Sequence, residues 1–589
     1  MTPNVQLEVE RKYEVPTGAE PDWSALPTLV VEPEVESRAL EAVYFDTPTD
    51  RLAAFGIALR RRKGGPDAGW HLKFRDELGK HELHVPLLKS SDRMPAQMKQ
   101  YVAGIAAGQD FTPLATLRND RSVLKVMHAD FGQVAEICVD DVVATAERTG
   151  VQRTWAEYEV ELVNGTWADG EEVFAELETV LLAAGLTRSA STAKIARALG
   201  AEDDAPAVTV TAPEDSDQSG APTEQGSSKK AKKSQKSQKA KKGAKTKKND
   251  KPGKSKAGTS DKASAAGETT TDAVEEPAET QTTAEDQVVA LANHSVAQLL
   301  HADFLLRIGD PTGVHAVRVA ARRLIAVIQG IGEELAGINH PGLADQLSVL
   351  SDRLSAARDA EVVLELLPGR AAVVAENVSD AGLGQLKAMA EDHRESTRSA
   401  AVRHLNGRAH MQLLTELVSW ADGLELTTEA RELSAKKLAT RAVKRWSQAV
   451  GEAESSLQAE SDQAAEGDSK AGGKKTSAAV NAVHAHRKAL RNLRYGFEGL
   501  SAIAGLQPKK TWRGLLDNTQ DTQAELSDMM DSAVMDDWFA LAARSLIRTG
   551  GDRYVVGLLH GQERARLSDY EARAPELIDR LLSEVSPDA

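Results

Sequence analysis

A single cysteine, Cys138, stands among 589 residues. That excludes a disulfide framework, and the apolar neighbours Ile137 and Val139 mark the thiol as a small buried hydrophobe suited to a reducing compartment. Aromatic residues make up only 4% of the chain and are missing from its lysine-dense tract, which therefore has no platform for stacking bases. No apolar run nears the roughly 18 to 20 residues that span a bilayer, and the opening MTPNVQLEVE lacks the basic-then-apolar pattern of a leader. A soluble cytoplasmic protein without a membrane role is expected. Positive charge is not in excess either: the net charge is -16, which argues against a globally basic nucleic-acid binder. A chain of this length is too long for one core, so two or three domains are expected.

What is present is charge of both signs in strand-like periods. In LEVERKYEV, residues Glu8, Glu10 and Lys12 project from one face of an extended strand at roughly 6.6 Å intervals. Two carboxylates and an ammonium make a poor core, but hard oxygen ligands suit Mg²⁺ or Mn²⁺ and a lysine meets an anion as a point charge. GIALRRRKGG places Arg60 and Arg62 on one face, and after a Gly-Gly-Pro turn WHLKFRDE offers Lys73. EYEVELVNG alternates Glu157, Glu159 and Glu161 with Tyr158, Val160 and Leu162. Glu82, in HELHVPL, alternates likewise and is a further candidate ligand. If these strands close into a barrel, helices can cover the apolar faces while the charged faces line a wet tunnel.

From about residue 202 to 285 apolar periodicity gives way to Ala, Ser, Thr, Pro, Glu and Lys, with a lysine-dense block from Lys229 to Lys256. This composition predicts a disordered linker. Beyond it, long amphipathic helical patterns take over. His315, Arg318 and Arg322 share one helix face, and His484, Arg487, Arg491 and Arg494 repeat the device within about 80° of arc. An internal duplication explains the echo, with the polar stretch near residues 455–478 as the connection between halves.

Residues 1–201 resemble the CYTH, or triphosphate tunnel metalloenzyme, superfamily. The resemblance rests on Glu8, Glu10 and Lys12, on Arg60 and Arg62, on Lys73, on Asp140 in EICVDD, on Glu159 and Glu161, and on Lys194 in STAKIARAL. Where the family commonly has adjacent basic residues, this chain has LRNDRSV, with Asp120 between Arg118 and Arg121. Residues 286–589 resemble the CHAD domain, a helical polyphosphate-binding module, through His315 to Leu324 and His484 to Tyr495. The first motif includes Arg323, and the second includes Lys488 and places Arg491 where a lysine is usual.

The resemblances imply a multidomain α+β chain: an N-terminal antiparallel β-barrel with flanking helices, a linker over 202–285, and an all-α duplicated bundle. They imply metal ligands at Glu8, Glu10, Asp140, Glu159 and Glu161, catalytic cations at Lys12, Arg60, Arg62 and Lys73, and substrate contacts at Arg118, Arg121 and Lys194. Polyphosphate would lie on the two helical motifs. The expected activity is Mg²⁺- or Mn²⁺-dependent hydrolysis of inorganic tripolyphosphate to pyrophosphate and phosphate, with association to polyphosphate granules and no nucleic-acid partner. A thiamine or nucleoside triphosphatase, a cyclase of the superfamily, and a non-catalytic polyphosphate adaptor are the alternatives.

Overall fold

The computed structural model describes residues 5–32, 36–76, 79–87, 92–163, 167–191, 193–200, 282–336, 342–466, 472–503, 505–507 and 520–584. The lysine-dense block at 229–256 lies outside them.

Period-two segments become the strands β1 (Val5–Glu8), β2 (Glu10–Glu14), β3 (Leu29–Val31), β4 (Glu36–Asp46), β5 (Ala58–Lys63), β6 (Gly69–Asp76), β7 (Gly79–Pro86), β8 (Thr112–His128), β9 (Gly132–Ala146), β10 (Gln152–Leu162) and β11 (Thr187–Arg188). They form one antiparallel sheet in the order β1, β7, β6, β5, β4, β8, β9, β10, β2, β11, with β3 beside β8. The hydrogen-bonded ladder is open, so the expected barrel is one in a loose sense only. Its ends are nonetheless tied covalently, because β1 and β2 are parted only at Val9 yet pair with β7 and β10 respectively. Val9 is buried among the outer apolar residues, and its carbonyl accepts from Leu162 N at 3.0 Å. One N-terminal segment thus serves two distant parts of a curled sheet.

Helices α1 (Arg51–Ala54), α2 (Ala96–Ala106), α3 (Trp167–Ala183) and α4 (Lys194–Leu199) accompany the sheet. α3 covers the outer face of β2, β9 and β10 with Phe174, Leu177 and Leu181. α4 packs Ala198 against Tyr44, Leu117, Val142 and Ala144, and Gly200 ends it in the left-handed region at φ 70.

The helical patterns after the linker become α5 (Ala284–Ile308), α6 (Gly313–Ile331), α7 (Leu343–Arg353), α8 (Ser355–Ala372), α9 (Asp380–Leu405), α10 (Arg408–Asp422), α11 (Thr428–Arg431), α12 (Ala435–Glu466), α13 (Gly472–Ser501), α14 (Gln520–Thr549) and α15 (Arg553–Glu584). The two basic motifs fall on α6 and α13. Trp446 of α12 wedges between these two: a Cβ added at Gly330 or at Gly496 would lie 2.3 Å from its Cζ2. Its indole N–H donates to Ala326 O at 3.0 Å. The stretch expected to connect the halves is largely the end of α12 and the start of α13, leaving 467–471 outside the described residues. The sheet and the helices α5–α15 belong to one compact unit.

Candidate functional site

Residues directly opposite one another in an antiparallel ladder share a face, so the register alone assembles the site. Glu159 lies opposite Lys12, Glu161 opposite Glu10, and Glu157 opposite Asp140. Asp140 is opposite Arg121, Lys73 is opposite Glu82, and Glu8 is opposite Lys80. Arg60 and Arg62 sit opposite Tyr44 and Ala42, which pair in turn with Ala115 and Leu117 of β8. One face of the sheet therefore carries cations and carboxylates from β1, β2 and β5 to β10. The same face turns apolar at Tyr44, Leu117, Val142 and Ala144, where α4 covers it.

Lys194, the first residue of α4, marks the boundary. Its Nζ lies 2.9 Å from Asp140 Oδ2 and 2.5 Å from Glu159 Oε1, and it also contacts Glu157. Arg121 grips Asp140 and Glu159, each at 2.6 Å. Lys12 pairs with Glu159 and, at 3.2 Å, with Glu10; Lys80 reaches Glu10 at 2.9 Å. Lys73 pairs with Glu8 at 2.5 Å, Arg60 donates to Glu82 at 3.3 Å, and Arg62 pairs with Asp67. His71, buried, bonds Glu82 Oε1 at 2.9 Å through Nδ1 and the Asp67 carbonyl at 3.0 Å through Nε2.

The electrostatics follow from this crowding. Burial pushes Glu10 upward, but Lys12 and its other cationic neighbours outweigh burial and Glu159 and hold the carboxyl at about 2. Burial, then the neighbouring Arg60, bring Arg62 down to about 10. Glu161 goes the other way: burial first, then Glu8, push it up to about 7 against the pull of Lys73. It makes no ion pair among the described residues. Glu8 Oε2 is likewise buried without a hydrogen-bond partner. Glu8 and Glu161 thus have carboxylate capacity left over, of the kind a hard divalent cation takes, and Glu10 beside them pairs one oxygen with Lys12 and the other with Lys80. Among the described residues the acidic group whose oxygens all lie within 4.8 Å of one another is a different one, Asp140, Glu157 and Glu159, and Lys194 already occupies that cluster.

Arg118 does not belong to the site. Three residues from Arg121, it falls on the opposite strand face, 77% exposed and 3.8 Å from Glu41. Asp120 shares that outer face, so the interruption in LRNDRSV leaves the inner arginine undisturbed. Sequence reasoning missed Lys80, His71 and Asp67. Lys80 alternates with the flagged Glu82, and His71 with the flagged Lys73, so both were legible by the same period; Asp67, in the turn before β6, carried no signal.

On the helical part, the duplication extends to a hydrogen bond. Arg318 of α6, three residues after its histidine, donates to Ser355 Oγ at 2.8 Å, and Arg487 of α13, three residues after its own, donates to Ser527 Oγ at 2.7 Å. Burial, then Arg322, lower Arg318 to about 10. Arg322 has no carboxylate partner among the described residues, and Lys488 is exposed. Arg323 and Arg494 instead meet between the helices, where both pair with Glu498 at 2.8 and 3.6 Å. His315 and Arg491 are half-buried. The side chain of His484 lies outside the described residues.

An antiparallel sheet with one ionised face, joined to a duplicated helical bundle with basic faces, defines the class. The CYTH domain model matches residues 6–196, and the CHAD domain model matches residues 290–540. The chain is a CYTH domain followed by a CHAD domain. It is 25% identical over 595 residues to the uncharacterized protein Rv2226 of Mycobacterium tuberculosis, covering 99% of this chain and 97% of that one. Similar solved structures include the CHAD domain of the plant Ricinus communis, 20% identical with TM-score 0.34, covering 51% of this chain and 93% of that one. A Hippeastrum protein described as having a dominant triphosphatase activity is 20% identical with TM-score 0.22, covering 33% and 96%. No helix among the described residues is long and apolar enough to cross a membrane.

Proposed function

We propose that the sheet domain hydrolyses a triphosphate, inorganic tripolyphosphate to pyrophosphate and phosphate, and that the helical domain holds long-chain polyphosphate, drawing the protein to cytoplasmic polyphosphate stores. The observation that carries this reading is the single ionised face on which Lys12, Arg60, Arg62, Lys73, Arg121 and Lys194 interleave with Glu8, Glu10, Asp140, Glu159 and Glu161. Phosphoryl transfer asks for positioning and charge neutralisation more than covalent chemistry. Guanidinium and ammonium groups fixed on rigid strands supply both, and their partner carboxylates hold them in place before substrate arrives.

Glu8, Glu10 and Glu161 would hold Mg²⁺ or Mn²⁺, which when bound neutralises charge on the phosphate oxygens. Arg60, Arg62 and Lys73 bind the phosphate chain from one wall, while Lys12, Arg121 and Lys194 bind it from the other. Water attacks the terminal phosphorus, the bridging P–O bond breaks, and pyrophosphate leaves. The cations steady the charge that develops on the leaving oxygen. Inorganic tripolyphosphate is preferred to a nucleotide or thiamine triphosphate because the attached domain handles the same chemistry in longer chains.

A phosphate-release screen with Mg²⁺ or Mn²⁺ tests the reading across tripolyphosphate, ATP, thiamine triphosphate and long-chain polyphosphate. Tripolyphosphate is expected to be turned over fastest, with Glu8→Gln reducing that turnover at least about a hundredfold, in the range of a lost electrostatic contact. Equal rates in Glu8→Gln and the parent on every substrate would sink it.

A further inference from the structure

In sequence the two folded parts are joined only by the linker; the structure joins them a second way. The face of β5 to β7 opposite the charged one presents Leu59, Trp70, Leu72, Phe74 and Leu83, all buried. These belong to one apolar cluster with Met98 and Ile105 of α2 and with Leu300 and Phe304 of α5. Phe74, next to Lys73 in β6, meets Phe304 edge-on with ring centroids 5.3 Å apart. At Gly104 of α2 an added Cβ would lie 1.9 Å from Asp303 Oδ2, so only glycine lets α2 and α5 approach this closely.

A buried polar lock sits at this contact. Asp303, Arg307 and His410 are 0%, 4% and 3% exposed. Asp303 accepts from Arg307 Nε at 2.5 Å and bonds His410 Nε2 at 2.8 Å. Arg307 also donates across to the Gln100 carbonyl of α2 at 3.0 Å, and to Asn406 Oδ1 and the Leu405 carbonyl. Thr415 of α10 donates to the Ala107 carbonyl, just past α2, at 3.1 Å. Separating the parts would take from a buried guanidinium one of its acceptors and wet an apolar sheet face.

We infer that the helical domain is docked on the back of the sheet domain through α2 and α5, and that this interface, rather than the linker, holds the two together. The helical domain then braces from behind the strands that present Arg60, Arg62, Lys73 and Glu82. Only the turnover arm of the following test rests on the function proposed above.

A recognition sequence for a specific protease, inserted after Gly253 of the full chain, allows the linker to be cut in the folded protein. The cut parent is expected to elute from size exclusion at micromolar concentration as one species containing both fragments, with the turnover of the uncut chain. Separation of the fragments into two peaks would overturn the inference without any substitution. In Gly104→Leu the same cut is expected to release the fragments, with a loss of co-elution of tenfold or more, on the order of one broken interface contact. Co-elution of that variant as tight as the parent's would equally overturn it. Co-elution without turnover on any triphosphate leaves the docking standing and removes the proposed reaction instead.

Discussion

Replacing Lys194 with methionine separates a structural reading of the ionised sheet face from a merely compositional one. The ammonium sits among Asp140, Glu157 and Glu159, whose oxygens lie within 4.8 Å of one another. Methionine keeps much of the bulk and removes the charge, leaving three carboxylates to Arg121, Lys12 and the more distant Arg197. At an effective dielectric of about 20, two unit charges at this separation repel by about 3.5 kcal/mol. Breaking a buried ion pair typically costs about 3 to 5 kcal/mol, and we expect the unfolding free energy to fall by that amount. Urea titration at neutral pH, followed by tryptophan fluorescence and far-ultraviolet circular dichroism, measures it; tripolyphosphate turnover is expected to vanish in parallel. Arg118→Ala is the matched control, because its guanidinium lies on the outer face, and it is expected to stay within about 0.5 kcal/mol of the parent with unchanged turnover. A Lys194→Met protein within about 1 kcal/mol of the parent would refute the argument, since a buried charge cluster cannot lose its shared cation so cheaply.

On the helical domain, Arg318→Ala combined with Arg322→Ala is expected to weaken retention of long-chain polyphosphate at least about tenfold, from about 1.5 kcal/mol per charge-assisted bond, and to flatten its salt dependence; binding isotherms at several salt concentrations check both. Gly496→Val would drive a side chain into Trp446 and is expected to lower stability by about 1 to 3 kcal/mol in the same urea titration. Asp303→Asn is expected to cost about 3 to 5 kcal/mol by stranding Arg307. Burial raises the Asp303 carboxyl, but Arg307 and His410 outweigh it and hold it below the ordinary 3.8. Its contribution is therefore complete above that value and lost as the pH falls through the lowered one. The gap between parent and Asp303→Asn, read from denaturation at a series of pH values, stays wide at neutral and mildly acidic pH and closes only in strong acid.

Much of the site was legible because strand periodicity is rigid. Glu8, Glu10, Lys12, Arg60, Arg62, Glu159 and Glu161 occur at spacings of two, and a period of two admits no other sharing of faces. The same rule, applied to Arg118 and Arg121, would have removed Arg118, whose spacing of three puts it outside. What periodicity cannot supply is pairing between distant segments. It predicts a tunnel lined with charge but not that Lys73 holds Glu8 while Lys80 holds Glu10. Nor does any local pattern reveal that α2, a short helix within the sheet domain, carries a glycine fitted to an aspartate some two hundred residues later. The helical motifs behave likewise: spacing placed Arg322 on the face of His315 and Arg318, and the family motif added Arg323, yet only the packing of α6 beside α13 turns Arg323 toward Glu498.

The charge balance of the ionised sheet face bears on the metal dependence proposed for it. On that face the cations already hold carboxylates: Lys12 and Lys80 hold Glu10, Lys73 holds Glu8, Arg60 holds Glu82, Arg62 holds Asp67, and Arg121 and Lys194 hold Asp140 and Glu159. Such a face is pre-organised but nearly neutral, and a polyanion entering it meets Glu161 with no cation of its own. A divalent cation at Glu8, Glu10 and Glu161 would restore the balance, so metal and substrate are expected to favour each other's binding. Linkage makes that favour reciprocal. Calorimetric titration of Mn²⁺ with and without a non-hydrolysable triphosphate, and of the triphosphate with and without Mn²⁺, should give the same coupling factor in the parent. Chelation of Mn²⁺ by free triphosphate is common to any variant, so the difference between parent and Glu161→Gln isolates the site. Identical coupling in the two proteins would refute the assignment, because the unpaired carboxylate would then have no part in balancing the charge.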